Sequence, residues 1–499
     1  MHHWSGLRQG GGRAVRISLV FVALAVGGFA GAGCGEFADR PEIAPSRAAA
    51  AGPDRYWEAP SPEAARDAAL VADYRSTATV SGRTSLAELI DIALRNNPDT
   101  RRSWEAARAA AAAYGQAQAA YYPKVAFANT AGYTRFPFQT DPGPSIVRQW
   151  QTLPTFEATY TLIDFGRRAA DSTIAEEESA AANFAMNRTI QTVVFAVQRG
   201  YYGLAAAEAA VAAAQQNVAL AASDLESVDK RVNLGLATRP ALLLARERRA
   251  QAEYELENAR TMVNDARAAL ATAAGIAADR PFEIADLSHE ALPTTLGAEV
   301  DDLIRQALGQ RPDLAAAAAR LHEAEAAEQR SHAEWYPTVG IDSRWGEDYW
   351  QYNFNGSPTI TSGAPDAAAL VTLRWDIFTG FYRLNDDRRA AAERAAQGEA
   401  VRALELATIA QVWSSYYDFQ DGLKRNGYAQ ALLAAARASY ADNALTYRRG
   451  LSTIVELLTA QRDLADARYT VIQARAELLS EAAAVVYAVG GLRLPGASH

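Results

Sequence analysis

The sequence predicts a mainly α-helical fold with a small β part, built twice over as a strand hairpin joined to very long helical hairpins. Three observations predict it. Residues 86–275 recur at 300–490 with almost no gaps. Asn97-Pro98-Asp99 returns as Arg311-Pro312-Asp313 and Tyr121-Tyr122-Pro123 as Trp335-Tyr336-Pro337, both 214 positions on. Tyr201-Tyr202 returns as Tyr416-Tyr417, Leu234-Gly235-Leu236 as Arg449-Gly450-Leu451, and Ala245 and Tyr254 as Ala460 and Tyr469, all 215 on. Second, no proline stands between Pro154 and Pro240 or between Pro365 and Pro495. Third, short stretches change the apolar period from 3.6 to 2. Copies this long exceed solenoid repeats of about 20–50 residues. They read as two halves of one symmetric structure, which suits enclosing something better than holding one catalytic cleft.

The first 33 residues read as a signal peptide. Arg8, Arg13 and Arg16 give a positive start, and Ile17 to Phe29 an apolar stretch too short to span a bilayer comfortably. Gly31-Ala32-Gly33-Cys34 follows, and Cys34 is the only cysteine in 499 residues. It reads as the lipidated N-terminus of a lipoprotein, carrying palmitate among its chains; a chance cysteine near a cleavage site is the alternative. Gly35, rather than Asp, suggests release to the outer membrane by analogy with lipoprotein sorting. A single cysteine excludes intrachain disulfides and thiolate clusters. His322 and His332 lie ten residues and about 15 Å apart along a helix and cannot share a metal. No nucleophile elbow, P-loop, dinucleotide fingerprint or zincin motif is present. The sequence therefore predicts no enzyme, no cofactor and no metal site. A net charge of −9 without any basic run excludes nucleic acid as a partner.

Residues 34–83 carry Pro41, Pro45, Pro53, Pro60 and Pro62 and read as an extended tether. The first repeat is assigned to 84–275. Ser85 and Glu88 have capping-box spacing. Leu86, Leu89, Ile90, Ala93 and Leu94 form one helical face, matched by Val300, Leu303, Ile304, Ala307 and Leu308. Helical pattern is predicted to run through 85–122 and stop at Pro123. In 155–163, Phe156, Ala158, Tyr160 and Leu162 alternate with Thr155, Glu157, Thr159 and Thr161. In 370–377, Val371, Leu373, Trp375 and Ile377 alternate with Thr372, Arg374 and Asp376. Segments 124–134 and 338–348 are their rougher partners. Each copy thus holds two strands of about 9–11 residues, the length that spans a bilayer, joined by long loops at 135–154 and 349–368. Four strands cannot close a barrel, so a membrane-spanning sheet requires several chains; a half-buried soluble sheet is the alternative.

Good helix formers fill 167–234, which makes about 100 Å of helix. A turn at Leu234 to Thr238 leads to a returning helix at 239–275, and the second copy repeats this at 381–449, a turn at Gly450 to Thr453, and 454–490. The helices 85–122 and 239–275 together match the long one, so two shorter helices stacked end to end would flank it. Residues 276–299 link the copies, and 491–499 form a short tail.

At this point the chain resembles the outer membrane efflux protein, or TolC, family, over about 85–490. The residues that carry the resemblance are the Asn-Pro-Asp and Tyr-Pro positions, the strand-to-helix junctions Leu162-Ile163-Asp164-Phe165-Gly166 and Trp375-Asp376-Ile377-Phe378-Thr379-Gly380, and the hairpin tips. The cysteine looks like the lipoprotein branch. The resemblance implies a homotrimer whose three chains supply a 12-stranded barrel in the outer-membrane lipid, continued by an α-helical barrel across the periplasm, with 276–299 in an equatorial belt. It implies a passive exit duct of a tripartite efflux or secretion system, meeting a periplasmic adaptor protein and an inner-membrane pump. Adaptor contact falls on Leu234, Gly235, Leu236 and Thr238 with Arg449, Gly450, Leu451 and Thr453. The family's acidic periplasmic aperture falls on Glu456 and Thr459, the latter a departure from a double acidic ring. A solvated helix-face charge is the alternative for Glu456. A periplasmic coiled-coil scaffold lipoprotein without a channel is the alternative for the whole chain.

Overall fold

The computed structural model describes residues 82–141, 143–279, 282–285 and 292–491. The expected signal segment, Cys34, the tether up to residue 81 and the tail after Gly491 lie outside the described residues.

The order of elements is duplicated. The first copy runs β1 (Arg83–Thr84), α1 (Leu86–Asn96), α2 (Pro98–Gln118), β2 (Lys124–Thr140), β3 (Gly143–Ile163), α3 (Arg167–Asn233) and α4 (Arg239–Ala274). After β4 (Glu283–Ile284), which pairs in parallel with β1, the second runs α5 (Val300–Gln310), α6 (Pro312–Ala333), β5 (Thr338–Phe354), β6 (Ile360–Arg374), α7 (Tyr382–Arg448) and α8 (Ile454–Val489). The two long helices have 67 residues each and their returning partners 36 each, within a residue or two of the predicted spans.

One correction concerns the predicted continuous helix at 85–122, which breaks at Asn97. Proline crowds the residue before it out of the helical region, and Asn97 is extended (φ −64°, ψ 127°), as is Arg311 before Pro312 (φ −72°, ψ 125°). The break has a use. The Asn97 side chain accepts from the Asp99 amide at 2.8 Å and donates to the Ala273 carbonyl at 2.9 Å, at the end of α4. Gly275, which closes α4 at φ +68°, comes so near that a Cβ there would stand 2.8 Å from the backbone of Asn96 and Asn97. So α4 ends against the α1–α2 break, and both α4 and α2 lie along α3. The same holds in copy two, where Gly490 ends α8 against Arg311.

Cores follow the repeat. Leu89, Ala93, Val197, Tyr201, Leu204, Leu270 and Ala274 are buried together in the first copy, and Leu303, Ala307, Val412, Phe419, Leu478 and Val485 in the second. Between these clusters and the tips the buried positions are mostly alanine (Ala210, Ala214, Ala221, Ala252, Ala259), small enough to let helices approach closely. No helix among the described residues is long and apolar enough to cross a membrane.

The strands form one antiparallel sheet in the order β2-β3-β5-β6. A second correction lies here. The predicted loops 135–154 and 349–368 are mostly strand, giving lengths of 17, 21, 17 and 15 residues. Prolines suggested loops, but the sheet accommodates them. The β3–β5 ladder skips Leu153 and Pro154, and beside the skip stands Gly346, the partner of Thr155, whose missing Cβ leaves room for the Pro154 carbonyl.

Candidate functional site

Side chains alternate across a strand, so the register sorts the sheet into two faces. Val125, Phe127, Phe156, Ala158, Tyr160, Val339, Ile341, Trp345, Val371 and Leu373 share the first. Of these, Val125, Phe127, Phe156, Trp345, Val371 and Leu373 are each more than half exposed. The second face carries Lys124, Thr155, Glu157, Thr159, Asp342, Arg344, Asp366 and Thr372. Its polar groups pair with one another: Arg344 with Asp366 at 3.0 Å, Thr372 with Asp342 at 2.8 Å, and Gln151 with Asp348 at 2.9 Å. The buried Val147 and Thr155 both lie on this face. The strands pack chiefly on one another, so neighbours on the same face supply that burial, as on a concave surface.

The apolar face is bounded at both ends by aromatic rings. Phe127, Phe156 and Trp345 form one row, and beyond it the face turns polar at Asn129 and Glu347. At the other end Phe165, Tyr336, Trp375 and Phe378 are exposed, with Phe165 stacked on Tyr336 at 5.1 Å. About ten residues separate the two girdles, about 33 Å of strand, which a tilt of about 40° shortens to about the 25 Å height of a lipid-facing band.

Where strand becomes helix, one arginine per copy ties the joint, 215 positions apart. Arg168 pairs with Asp164 at 2.6 Å, donates to the Thr161 carbonyl at 2.7 Å and lies over the Tyr121 ring. Arg383 donates to the carbonyls of Asp376 and Glu334 and lies over Trp335. Sequence reading missed both, although their common spacing was a signal.

The hairpin tips stand at the far end of the helices. Gly235 (φ +71°) and Gly450 (φ +75°) each close a Schellman motif. The Leu236 amide donates to the Arg231 carbonyl at 2.7 Å, and that of Leu451 to Thr446 at 2.9 Å. Leu234, Leu236 and Leu451 project into solvent, and Thr238, Arg449 and Thr453 are exposed beside them. The two tips are tied together by Arg231, which donates to the carbonyls of Tyr447 and Arg448 at 3.1 and 3.2 Å and lies over the Tyr447 ring. Further along, the Tyr440 hydroxyl donates to the buried Asp224 carboxylate at 3.1 Å. Burial raises the Asp224 pKa, opposed by the hydrogen bond from Tyr440. No sequence pattern flagged this pair.

Glu456 and Thr459 lie on one exposed face of α8, a turn apart. The Glu456 carboxylate accepts from the Thr453 amide at 2.8 Å while the Thr453 hydroxyl accepts from the Glu456 amide at 3.3 Å, a capping box that holds the acid at the helix N-terminus. Among the described residues no cluster of metal-ligating side chains occurs.

The outer membrane efflux protein family model matches residues 89–276 and 303–491. Protein CyaE of Bordetella pertussis is 28% identical over 415 residues, covering 82% of this chain and 84% of that protein. Outer membrane protein TolC of Salmonella enteritidis is 23% identical over 422 residues, 83% of each chain. Among solved structures, the outer membrane protein VceC of Vibrio cholerae superposes with a TM-score of 0.69 at 21% identity, over 81% of this chain and 96% of that one. The outer-membrane channel OprN superposes with a TM-score of 0.70, also at 21% identity, over 81% and 90%.

Proposed function

The chain belongs to the outer membrane efflux protein family, and on that premise we propose that three copies form one passive exit duct, each supplying four strands to an outer-membrane barrel and its long helices to a periplasmic tunnel. The two-faced sheet carries this reading. An exposed apolar face between aromatic girdles, backed by a face of paired charges, suits lipid on one side and water on the other. An open four-stranded sheet leaves β2 and β6 with unpaired edges, which hydrocarbon does not tolerate. Neighbouring copies would pair them.

Heat-resistant trimers in a detergent-extracted outer-membrane fraction test the proposal. A lipid-anchored chain that yields no heat-resistant trimer would favour the coiled-coil scaffold lipoprotein instead. The exposed tips around Gly235 and Gly450 are where a periplasmic adaptor, linked to an inner-membrane pump, would dock, because their leucines are apolar and exposed.

Lipidation of Cys34 is part of the same proposal. Mass spectrometry of the mature N-terminus is expected to find an acylated Cys34; an unmodified chain starting elsewhere would refute it. Cys34→Ser should still assemble, because the barrel supplies most of the membrane affinity.

Glu456 is proposed to face the axis of the aperture, with three carboxylates converging there. Like charges brought together attract cations. Glu456→Gln is expected to weaken cation block of single-channel current and to lower cation selectivity in a planar bilayer. Thr459 supplies no second acid, so block should be modest. Unchanged block would leave Glu456 with only its capping role.

A further inference from the structure

The charged face of the sheet does not stay charged. Between the girdles it carries Lys124, Glu157, Asp342 and Arg344, with Asp366 one position beyond the outer row. Followed outward along the same strands, every second residue still lies on that face, and the chemistry changes. The row Gly132–Gln151–Trp350 brings the first aromatic, Thr134–Gln149–Tyr352–Ile360 the second, and Phe136–Val147–Phe354 is apolar throughout. Val147 is 5% exposed between Phe136 and Phe354, its register neighbours. Tyr352 and Phe354 meet edge to face at 5.4 Å. These rings are not part of the membrane-facing band, because they lie on the opposite face and beyond the Asn129–Glu347 row that ends it.

We propose that Phe136, Val147, Trp350, Tyr352, Phe354 and Ile360 form an aromatic collar on the lumen side of the outer mouth, which sets the bore of the exit and the solutes that cross it. The inference rests on the trimeric duct above. Twelve tilted strands enclose a passage of only a few tens of ångströms, and aromatic side chains reaching inward from three chains narrow it at one level. A ring of apolar side chains also hydrates poorly, so it resists ions more than its width alone would. Planar or apolar cargo would slide along such a wall by stacking, while small hydrated ions would be held back. The charged lumen below it, at membrane level, has the opposite character.

A graded series at one position tests the collar. Trp350→Phe, Trp350→Leu and Trp350→Ala are compared with the wild-type trimer in planar bilayers, reading single-channel conductance and the largest neutral polymer that enters. Conductance should rise as side-chain volume falls, by about twofold at alanine, and the polymer cut-off should rise with it. Tyr352→Leu, one row further out, should act in the same direction. Trp150→Ala is the control, because Trp150 pairs with Gln351 on the opposite face, and it should leave both readouts unchanged. Conductance that stays at the wild-type value across the whole Trp350 series, or that changes equally in Trp150→Ala, overturns the collar while leaving the duct in place. Wild-type protein that forms trimers in the membrane but no channels overturns the duct reading and the collar with it.

Discussion

Arginine in place of Tyr160 is expected to cost about 2–4 kcal/mol of barrel stability and to abolish most of the trimer recovered from membranes. The size follows from depth. Tyr160 shares a row with Ile341 and Val371, midway between the girdle of Phe127, Phe156 and Trp345 and that of Phe165, Tyr336 and Trp375. Hydrocarbon would surround a guanidinium there without water or a carboxylate to meet it. Leu373→Arg, one step nearer the lower girdle, should be nearly as harmful, with some relief from snorkelling toward the interface. Thr159→Arg provides the contrast. Thr159 is adjacent in sequence but on the other face, opposite Asp342, where a positive charge meets water and a carboxylate. Equal loss of trimer at Tyr160 and Thr159 would show that the first face does not meet lipid.

The legibility of the sheet and the helices differed for physical reasons. The face assignment was readable because a period of 2 separates lipid from lumen wherever only one side is apolar, and the alternation at Phe156 to Tyr160 and Val371 to Leu373 holds in the register, whereas Leu162 falls at a bulge and Trp375 and Ile377, predicted as strand, lie beyond the end of β6 at Arg374. Outside the membrane both faces meet water, the constraint lapses and the alternation fades. Strand from 135 to 154 therefore looked like loop, with Pro137, Pro144 and Pro154 reinforcing the impression. The long helices were readable to within two residues because each ends in a glycine and each return begins after a threonine. Ties between helices were not. Arg231 reaches Tyr447 and Tyr440 reaches Asp224 across 216 positions, and nothing local to either residue announces a partner. The motifs that did stand out, Asn-Pro-Asp and Arg-Pro-Asp, were read as markers of the repeat, and the helix break they make was missed. Their side chains also hold the end of the neighbouring helix.

Arg311→Ala is expected to be the most damaging change in the helical part, at about 3 kcal/mol. The Arg311 side chain is 4% exposed and meets four partners: both oxygens of Asp313 at 3.0 and 2.6 Å, Gln411 at 2.7 Å, and the Ala488 carbonyl at 3.1 Å at the end of α8. Arg188 of α3 completes the group, 3.5 Å from Asp313, stacked over Tyr487 and donating to its carbonyl. One cluster thus joins the α5–α6 break, the α8 terminus and the long helix of the other copy. Removing Arg311 strands the Asp313 carboxylate with a single cation and leaves a carbonyl unmet. Arg311→Asn copies the first repeat, where Asn97 holds the equivalent carbonyl of Ala273, so it should recover part of the loss. Acid should imitate the mutation. Burial acts to raise the Asp313 pKa, but the hydrogen bond from Arg311 and the charges of Arg188 and Arg311 outweigh it and hold the carboxyl below its usual range. A depressed folded pKa gives stability that is present above the unfolded value of about 3.9 and lost as pH falls through the folded one. The trimer dissociation temperature of the wild type should therefore drop below about pH 4, and that of Asp313→Asn should drop less. A wild type and an Asp313→Asn variant that lose stability in parallel would show that the acid-sensitive contact lies elsewhere.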